Sequence, residues 1–433
     1  MRSIIILILC FVGTSNLQAQ SLFTVKEAIE MALLQNFDIQ LSKNEKTITA
    51  ESVSYGAAGF MPTVTASATQ SNSVLNLEQT QSTGVVRSLK NAKNNSLNYG
   101  VNVGWTVFDG LSMFKRYDML KQTDNYQDIQ YKQSVLTTIS TVMATYYNIV
   151  EQTNVYTALQ SVKDISLERY NIAESRFIIG KASKLEVINA QVNLNQDESS
   201  LMRQANTIKI LKIELNRLLA RDLETDFVVE QQMTYDQQLN YANMYETAKL
   251  QNPDIVKIEI SRKMAELSLK EIKGKRYPTV RLNAGYNFSE TESSLGFTTS
   301  SNSKGLTYGV SASLNLFDGS SQNRNEKIAK LNIESMDLLL KNQDQQLSSV
   351  LLTAFSKYQT FQSLVKVEEN NVDLAKRSLD ITNDKFKIGT VSSVEFRDSQ
   401  ENYINAVSRY NAALLDTKLA EIDLKQIMGK LDV

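Results

Sequence analysis

Histidine is absent from the 433 residues, and cysteine occurs once, at Cys10. That cysteine lies in an apolar run typical of a secretory signal, because Arg2 precedes residues 4–12 and Ala19 ends an acceptable cleavage site. Removing the predicted signal at 1–19 leaves a chain with neither residue type. Disulfide frameworks, thiol chemistry, Ser-His-Asp triads and histidine-based zinc sites are therefore excluded.

Net charge and long apolar runs are scarce as well. The formal net charge is −1, which indicates neither nucleic-acid binding nor a polybasic membrane patch. After residue 19, no stretch reaches the roughly 20 apolar residues of a transmembrane helix. If the chain spans a membrane, it must therefore do so with β-strands that form a barrel. No nucleophile–base spacing or phosphate-cradling glycine loop occurs, so we predict that the protein is not an enzyme and needs no cofactor or metal.

Four segments alternate between apolar and polar residues, as strands with two different faces do. Pro62 precedes the first segment and Pro278 the third. The predicted strands lie at about 63–70, 97–108, 279–289 and 305–317, and the polar stretch from Ser71 to Asn98 reads as an extracellular loop. Gly, Ser and Asn dominate one face, whereas the other carries aromatic residues that suit a membrane interface: Tyr99, Trp105, Tyr286 and Tyr308.

Two very long helices are predicted at 112–178 and 321–388, because apolar residues recur there at coiled-coil spacing. At about 1.5 Å per residue, each is roughly 100 Å long. Shorter helices return from them, at 183–221 followed by 254–276 in one half, and at 391–428 with 38–59 in the other. Each half thus contributes one unbroken column and one column of two stacked helices.

Each long helix ends at a short turn that starts the next helix. Gly180 and Gly389 follow the last apolar turns, where a left-handed glycine cap is usual. The next helices open with the capping-box pairs Ser183 with Glu186 and Ser392 with Glu395. The segments 177–186 and 386–398 are therefore predicted to be the tips of two helical hairpins.

The two halves of the chain correspond to each other. An offset of 209 positions relates Gly180 to Gly389 and Glu186 to Glu395, and the same offset relates Phe108-Asp109-Gly110 to Phe317-Asp318-Gly319. Tandem duplication is the simplest account. We predict a first repeat at 20–221, an equatorial connector at 222–253 and a second repeat at 254–433.

Four strands of bilayer-spanning length cannot close on themselves, and open sheet edges are not tolerated in lipid. Closure would need two copies, giving eight strands, or three copies, giving twelve and room for a channel. A soluble four-stranded sheet with one buried face is the alternative that the pattern leaves open.

Taken together, these features resemble the TolC family of outer-membrane efflux and secretion channels. The resemblance rests on Asn-x-Asp after the first helix, strands entered by proline, Phe-Asp-Gly at both strand-to-helix corners, aromatic-x-x-Gly at both tips and the two-fold repeat. It implies a mainly α fold in which a homotrimer forms a 12-stranded β-barrel in outer-membrane lipid and a 12-helix periplasmic α-barrel. It also implies a Gram-negative-type cell, a periplasmic adaptor (a membrane fusion protein) and an inner-membrane RND or ABC transporter.

The resemblance assigns adaptor docking and closure to the tips. Phe386, Gly389 and Thr390 match the family's tip sequence, and Phe177 and Gly180 are their counterparts in the first repeat. A docking role for the glycines would be added to capping, and the two phenylalanines have packing within the hairpin as their alternative role.

The resemblance also indicates an acidic periplasmic entrance. Glu395 and Asp398 match two acidic positions that line it, and Glu186 keeps the first acid in the other repeat, where Asn189 replaces the second. The glutamates are also explained as capping residues. Three copies would surround the opening with six carboxylates from Glu395 and Asp398, which we hypothesise bind cations. Val391 stands where the best-known member has a latching arginine, so that latch is not expected.

The predicted function is passive conduction through the outer membrane, with efflux of small molecules favoured. The alternative is the exit duct of a type I protein secretion system, and the sequence does not separate the two. A more distant alternative is a periplasmic coiled-coil scaffold or adhesin.

Overall fold

The computed structural model describes residues 22–294 and 298–431. The predicted signal at 1–19 lies outside the described residues. The described chain divides into two compact units. The helical unit comprises residues 22–41, 133–252 and 347–431, and the sheet unit comprises residues 42–132 and 253–346 without 295–297.

Helices and strands alternate twice along the chain. In order they are β1 (Leu22–Phe23), α1 (Val25–Gln35), α2 (Phe37–Ser52), α3 (Tyr55–Ala58), β2 (Thr63–Thr80), β3 (Val86–Asp109), α4 (Ser112–Ile178), α5 (Lys184–Leu218), β4 (Val228–Val229), α6 (Tyr241–Gln251), α7 (Pro253–Gly274), β5 (Thr279–Ser293), β6 (Ser300–Ser313), α8 (Ser321–Ile388) and α9 (Ser393–Ile427).

The long helices α4 and α8 contain 67 and 68 residues and have the bounds that the periodicity predicts. The segment predicted as one helix at 38–59 is instead two, α2 and α3. The break occurs because Ser54 is extended and its side chain accepts a hydrogen bond from the Ala57 amide, which starts a new helix. Across the described ranges, no helix combines the length and the apolar character needed to cross a bilayer.

The sheet unit contains one antiparallel sheet in the order β2-β3-β5-β6. Directly opposed residues share a face, and the alternation predicted from sequence is confirmed by the cross-strand pairs Val64–Val103, Val101–Tyr286 and Ala284–Tyr308. One face is therefore apolar and aromatic, and the other is lined by Gly, Ser, Thr and Asn, with Arg281 near the start of β5.

Three of the four strands extend beyond their predicted ranges, and the fourth, β6, both begins and ends earlier than predicted. Most of Ser71 to Asn98, predicted as a loop, is a paired β-ribbon that turns at residues 81–85, where Gly84 has φ 83°. The ladder joins backbone groups, so polar side chains do not prevent it, and apolar alternation marks only part of each strand. β6 stops at Ser313 rather than 317, because its partner β5 begins opposite it at Thr279 and leaves no strand for later residues to pair with.

The core of the helical unit lies where α4, α5 and α9 meet. It contains fully or nearly fully buried side chains from these helices and from the short parallel pair β1–β4, including Val142, Ile149, Leu215, Leu219, Ile422 and Val229. Tyr146 links the pair to α4, because its hydroxyl donates to the Phe23 carbonyl (2.8 Å) and accepts from the Glu230 amide (3.2 Å).

The internal repeat also appears in three dimensions within the helical unit. The Asn36 side chain donates to the Leu218 carbonyl at the end of α5 (2.8 Å), and Asn252 donates to the Ile427 carbonyl at the end of α9 (2.9 Å). Leu218 and Ile427 are 209 positions apart, as the tip glycines are. Equivalent asparagines thus hold equivalent helix ends, which supports duplication.

Candidate functional site

The two tips of the helical unit are closed by the glycines that the sequence indicates. Gly180 has φ 74° and Gly389 has φ 82°, conformations that residues with a Cβ rarely adopt. The amides of Lys181 and Thr390 donate to carbonyls five residues back, at 2.8 and 3.0 Å, which completes a Schellman motif at each tip. The abrupt reversal needed for a hairpin is therefore built into both tips.

Only half of each predicted capping box forms at the tips. Ser183 and Ser392 accept from the amides of Glu186 and Glu395, both at 3.2 Å. Among the described residues, the reciprocal bond, in which the cap's backbone amide donates to the glutamate carboxylate, forms at Thr24 but not at these two serines. The carboxylates of Glu186 and Glu395 are thus not committed to capping.

Two of the three predicted entrance acids lie together on α9. Glu395 and Asp398 are both exposed and stand one helical turn apart on the same helix face. Glu186 is half-buried at the start of α5, and Asn189 is exposed one turn later. The arrangement provides two exposed carboxylates in the second repeat and one partly covered carboxylate in the first.

Phe386 packs inside the tip, which is the alternative role considered for it. Its side chain is 5 % exposed and lies 5.5 Å from the fully buried Phe396 ring. The guanidinium of Arg169 lies over both rings, 4.5 Å from the centroid of Phe386 and 4.1 Å from that of Phe396. Burial and the nearby Arg397 charge lower the pKa of Arg169 to about 10, so it remains a cation at neutral pH.

A buried polar network joins the two hairpins behind the tips. Asp197 on α5, only 4 % exposed, accepts from Arg397 on α9 and from Ser166 on α4, both at 2.6 Å. Gln400 on α9 donates to the same serine at 3.1 Å. Although burial acts to lower the pKa of Arg397, its hydrogen bond to Asp197 raises it above the usual value. Three helices are thus held by one ion pair and its hydrogen bonds.

Sequence reasoning missed this network because its ion pair and the serine bonded to it do not repeat. The positions equivalent to Asp197 and Ser166 in the second repeat are Ala406 and Ala375, and the position equivalent to Arg397 in the first is Ile188. Comparison of the halves therefore gives no signal. A charged residue at an inward-facing coiled-coil position was the one available indication.

Exposed apolar side chains occur on both tips, beside exposed lysines. Phe177 is 40 % exposed, with the Lys184 ammonium 5.2 Å from its ring centroid. Around it and on the second tip are exposed aliphatic side chains, namely Ile178, Ile179, Leu185, Ile388 and Val394. Thr390 is exposed as well, although its hydroxyl donates to the Lys385 carbonyl at 3.1 Å. Exposed aliphatic side chains are thus present on both tips.

The four predicted interface aromatics all lie on the apolar face of the sheet. Tyr99 stacks on Phe288 with centroids 4.8 Å apart, and Tyr286 meets the same ring edge-on at 5.2 Å. Tyr308 is 82 % exposed, and Trp105 is 40 % exposed with its indole NH donating to the Phe60 carbonyl at 2.8 Å. Such rings, with one polar tip, suit the boundary between lipid and water.

The opposite face of the sheet carries a network of uncharged polar groups. Asn287 donates to Asn102 (3.3 Å) and Ser289 donates to Asn98 (2.7 Å), in both cases between β5 and β3. Thr63 on β2 donates to the Gly104 carbonyl at 3.2 Å. The sheet therefore has an apolar, aromatic side and a polar side.

Comparison with known proteins agrees with this geometry. The sequence model of the family described as "Outer membrane efflux protein" matches residues 28–221 and 244–430. The chain is 19 % identical over 430 residues to "Outer membrane protein TolC" of Escherichia coli (strain K12), covering 97 % of this chain and 84 % of that protein.

Solved structures show the same fold at low sequence identity. The Campylobacter jejuni CmeC outer membrane channel matches with a TM-score of 0.75 and 18 % identity over 94 % of this chain and 85 % of that one. The Neisseria gonorrhoeae MtrE outer membrane channel, in its open state, matches with a TM-score of 0.72 and 16 % identity over 94 % and 89 %. The chain therefore belongs to the outer membrane efflux protein family, whose members are outer-membrane channels and not enzymes.

Proposed function

We propose that three copies of this chain close their sheets into one 12-stranded barrel and conduct substrates passively through it. The observation that carries the proposal is the open four-stranded sheet: in the described residues, β2 and β6 pair on one side only. An unpaired edge is not tolerated in lipid, and a neighbouring copy can satisfy it. The apolar, aromatic face would then meet lipid, and the polar face would line the lumen.

We further propose that the tips dock a periplasmic adaptor, which connects the channel to an inner-membrane RND or ABC transporter. Support comes from the exposed aliphatic groups around Gly180 and Gly389, because exposed apolar patches are unfavourable unless a partner covers them. Phe177 and Thr390 contribute to this surface, whereas the buried Phe386 supports it by packing inside the tip. The entrance acids Glu395, Asp398 and Glu186 are proposed to line the opening beside it.

Efflux of small molecules is the favoured role, because the family is described as "Outer membrane efflux protein". Two assays test the proposal. The purified protein should conduct ions in a planar bilayer, and Ile178→Asn with Ile388→Asn should weaken binding of a periplasmic adaptor of the membrane fusion protein class. Lys341→Asn, an exposed position on α8 outside both tips, is the control.

The outcomes separate the two parts of the proposal. Absence of conductance by the intact oligomer contradicts the channel. Unchanged adaptor binding by the double tip variant contradicts docking at the tips and leaves the channel standing. Export of a large polypeptide rather than small solutes by cells that carry the protein would assign it to type I secretion.

A further inference from the structure

Two asparagines on the polar face of the sheet lie opposite glycines of the neighbouring strand. Asn102 of β3 is the direct partner of Gly285 of β5, and Asn287 of β5 is the direct partner of Gly100 of β3. The two side chains meet on the diagonal between these pairs, where Asn287 Nδ2 donates to Asn102 Oδ1 at 3.3 Å. We name Asn102 and Asn287 the carboxamide pair.

The glycines allow the amides to lie across the sheet instead of standing away from it. A Cβ at Gly285 would come closer than 3.0 Å to Asn102 Oδ1 and to 3.1 Å from Asn287 Nδ2. At Gly100, a Cβ would overlap Asn287 Oδ1 and also the Tyr286 carbonyl. Gly285 is itself buried, and a glycine on an exposed face of a sheet is covered only when a neighbouring side chain lies over it. The space of the missing side chains is therefore filled by the carboxamides.

Around the carboxamide pair, the polar face carries no charge. Between the levels of Thr63 and Thr69 on β2, the facing positions are Asn98, Gly100, Asn102 and Gly104 on β3, Asn283, Gly285, Asn287 and Ser289 on β5, and Ser303, Gly305, Thr307 and Gly309 on β6. After their mutual bond, the two amides retain both donors and acceptors. They can exchange hydrogen bonds with polar solutes of either charge sign.

We propose that the carboxamide pair determines the free width and the charge neutrality of the lumen at this level of the barrel. The proposal rests on the proposed function, in which three copies turn their polar faces to a common lumen and so contribute three such pairs. Because the amides lie over glycine, they narrow the lumen less than side chains that stand away from the wall would. Because they are neutral, this section admits solutes by size rather than by charge.

The test measures which polymers enter the lumen from the extracellular side. Intact oligomers in a planar bilayer receive polyethylene glycols of graded size on that side only, and the smallest polymer that no longer lowers conductance marks the exclusion limit. Gly285→Ala should displace Asn102 into the lumen and shift the limit to smaller polymers. Asn102→Ser removes an amide group and should shift the exclusion limit to larger polymers.

Gly104→Ala is the matched control. It adds the same methyl group on the same face of a central strand, but its Cβ would make only ordinary contacts, 3.5 Å from Thr63 Oγ1 and 3.9 Å from Asn283 Oδ1. Its limit should equal that of the unmodified protein. Asn102→Asp should shift the reversal potential toward cation selectivity, because each copy then adds a carboxylate.

Each outcome supports or overturns the proposal. Unchanged exclusion limits in conducting Gly285→Ala and Asn102→Ser oligomers overturn it and leave the channel intact. If Gly285→Ala does not assemble, Asn102→Ser decides alone. If the unmodified protein does not conduct, the proposed function fails, and the carboxamide pair fails with it.

Discussion

Replacing Arg397 by methionine should destabilise the helical unit much more than neutralising its partner Asp197. Methionine approximates the length of the arginine stem and removes the cation. Asp197 is then left 4 % exposed, with Ser166 donating to one carboxylate oxygen and no guanidinium on the other. A buried carboxylate without its counter-ion costs far more than one hydrogen bond.

The structure predicts different stability costs for replacing Arg397 and for replacing Asp197. Breaking a buried ion pair from one side costs about 3–5 kcal/mol, and the lower end applies to Arg397→Met because the Arg169 charge still favours the Asp197 carboxylate. Asp197→Asn leaves Arg397 bonded to Glu401 at 2.9 Å, on the exposed side of α9. Its cost should be about 1–2 kcal/mol, the value of a hydrogen bond to a charged group.

The assay is thermal unfolding of the detergent-solubilised protein, followed by the helical signal, for both single variants and for the double variant. We expect the largest loss of melting temperature for Arg397→Met. The double variant should lose less than the sum of the singles, because it leaves neither partner of the ion pair as a buried charge without the other. Equal losses for the two singles, or a larger loss for Asp197→Asn, would refute the reasoning.

Three further predictions concern other parts of the helical unit. Asn36→Ala should lower the free energy of unfolding by about 2–3 kcal/mol, because it removes the cap of α2 and leaves a buried carbonyl of α5 without its donor. Asn240→Ala removes only an exposed cap and should lower it by about 1 kcal/mol in the same unfolding assay. Gly389→Ala should cost about 1–2 kcal/mol in melting experiments, because a Cβ is forced to φ 82°. Asp398→Asn should weaken block of the channel by divalent cations. Asp384→Asn, which neutralises an exposed acid on the same hairpin, should not. Equal block in the unmodified protein and both variants would contradict an acidic entrance at Asp398.

The helices could be predicted closely from sequence because their signals are local. Coiled-coil spacing sets the extent of α4 and α8, and a left-handed glycine ends each tip whatever surrounds it. The strands are less well predicted, because the ladder of β2 and β3 continues through residues 71–80 and 86–98, where alternation is lost. Backbone pairing there depends on the partner strand and not on side-chain polarity.

The site was predictable only where its residues repeat or carry local patterns. The tip segments were found this way, but the Phe386 ring also contacts Arg169, a residue more than 200 positions earlier whose equivalent in the other repeat is Ser378. The carboxamide pair could not be predicted from the sequence either. Its asparagines were recognised as polar-face residues, whereas their position over Gly100 and Gly285 follows from the register between β3 and β5.

The mass of the detergent-extracted protein, measured by light scattering and corrected for bound detergent, tests the central claim most directly. Three open four-stranded sheets are needed to leave a lumen, so we predict a particle from the outer-membrane fraction with three times the mass of the mature chain. A monomer, or a protein that stays in solution without detergent, would contradict closure of the sheet by neighbouring copies and the channel that depends on it.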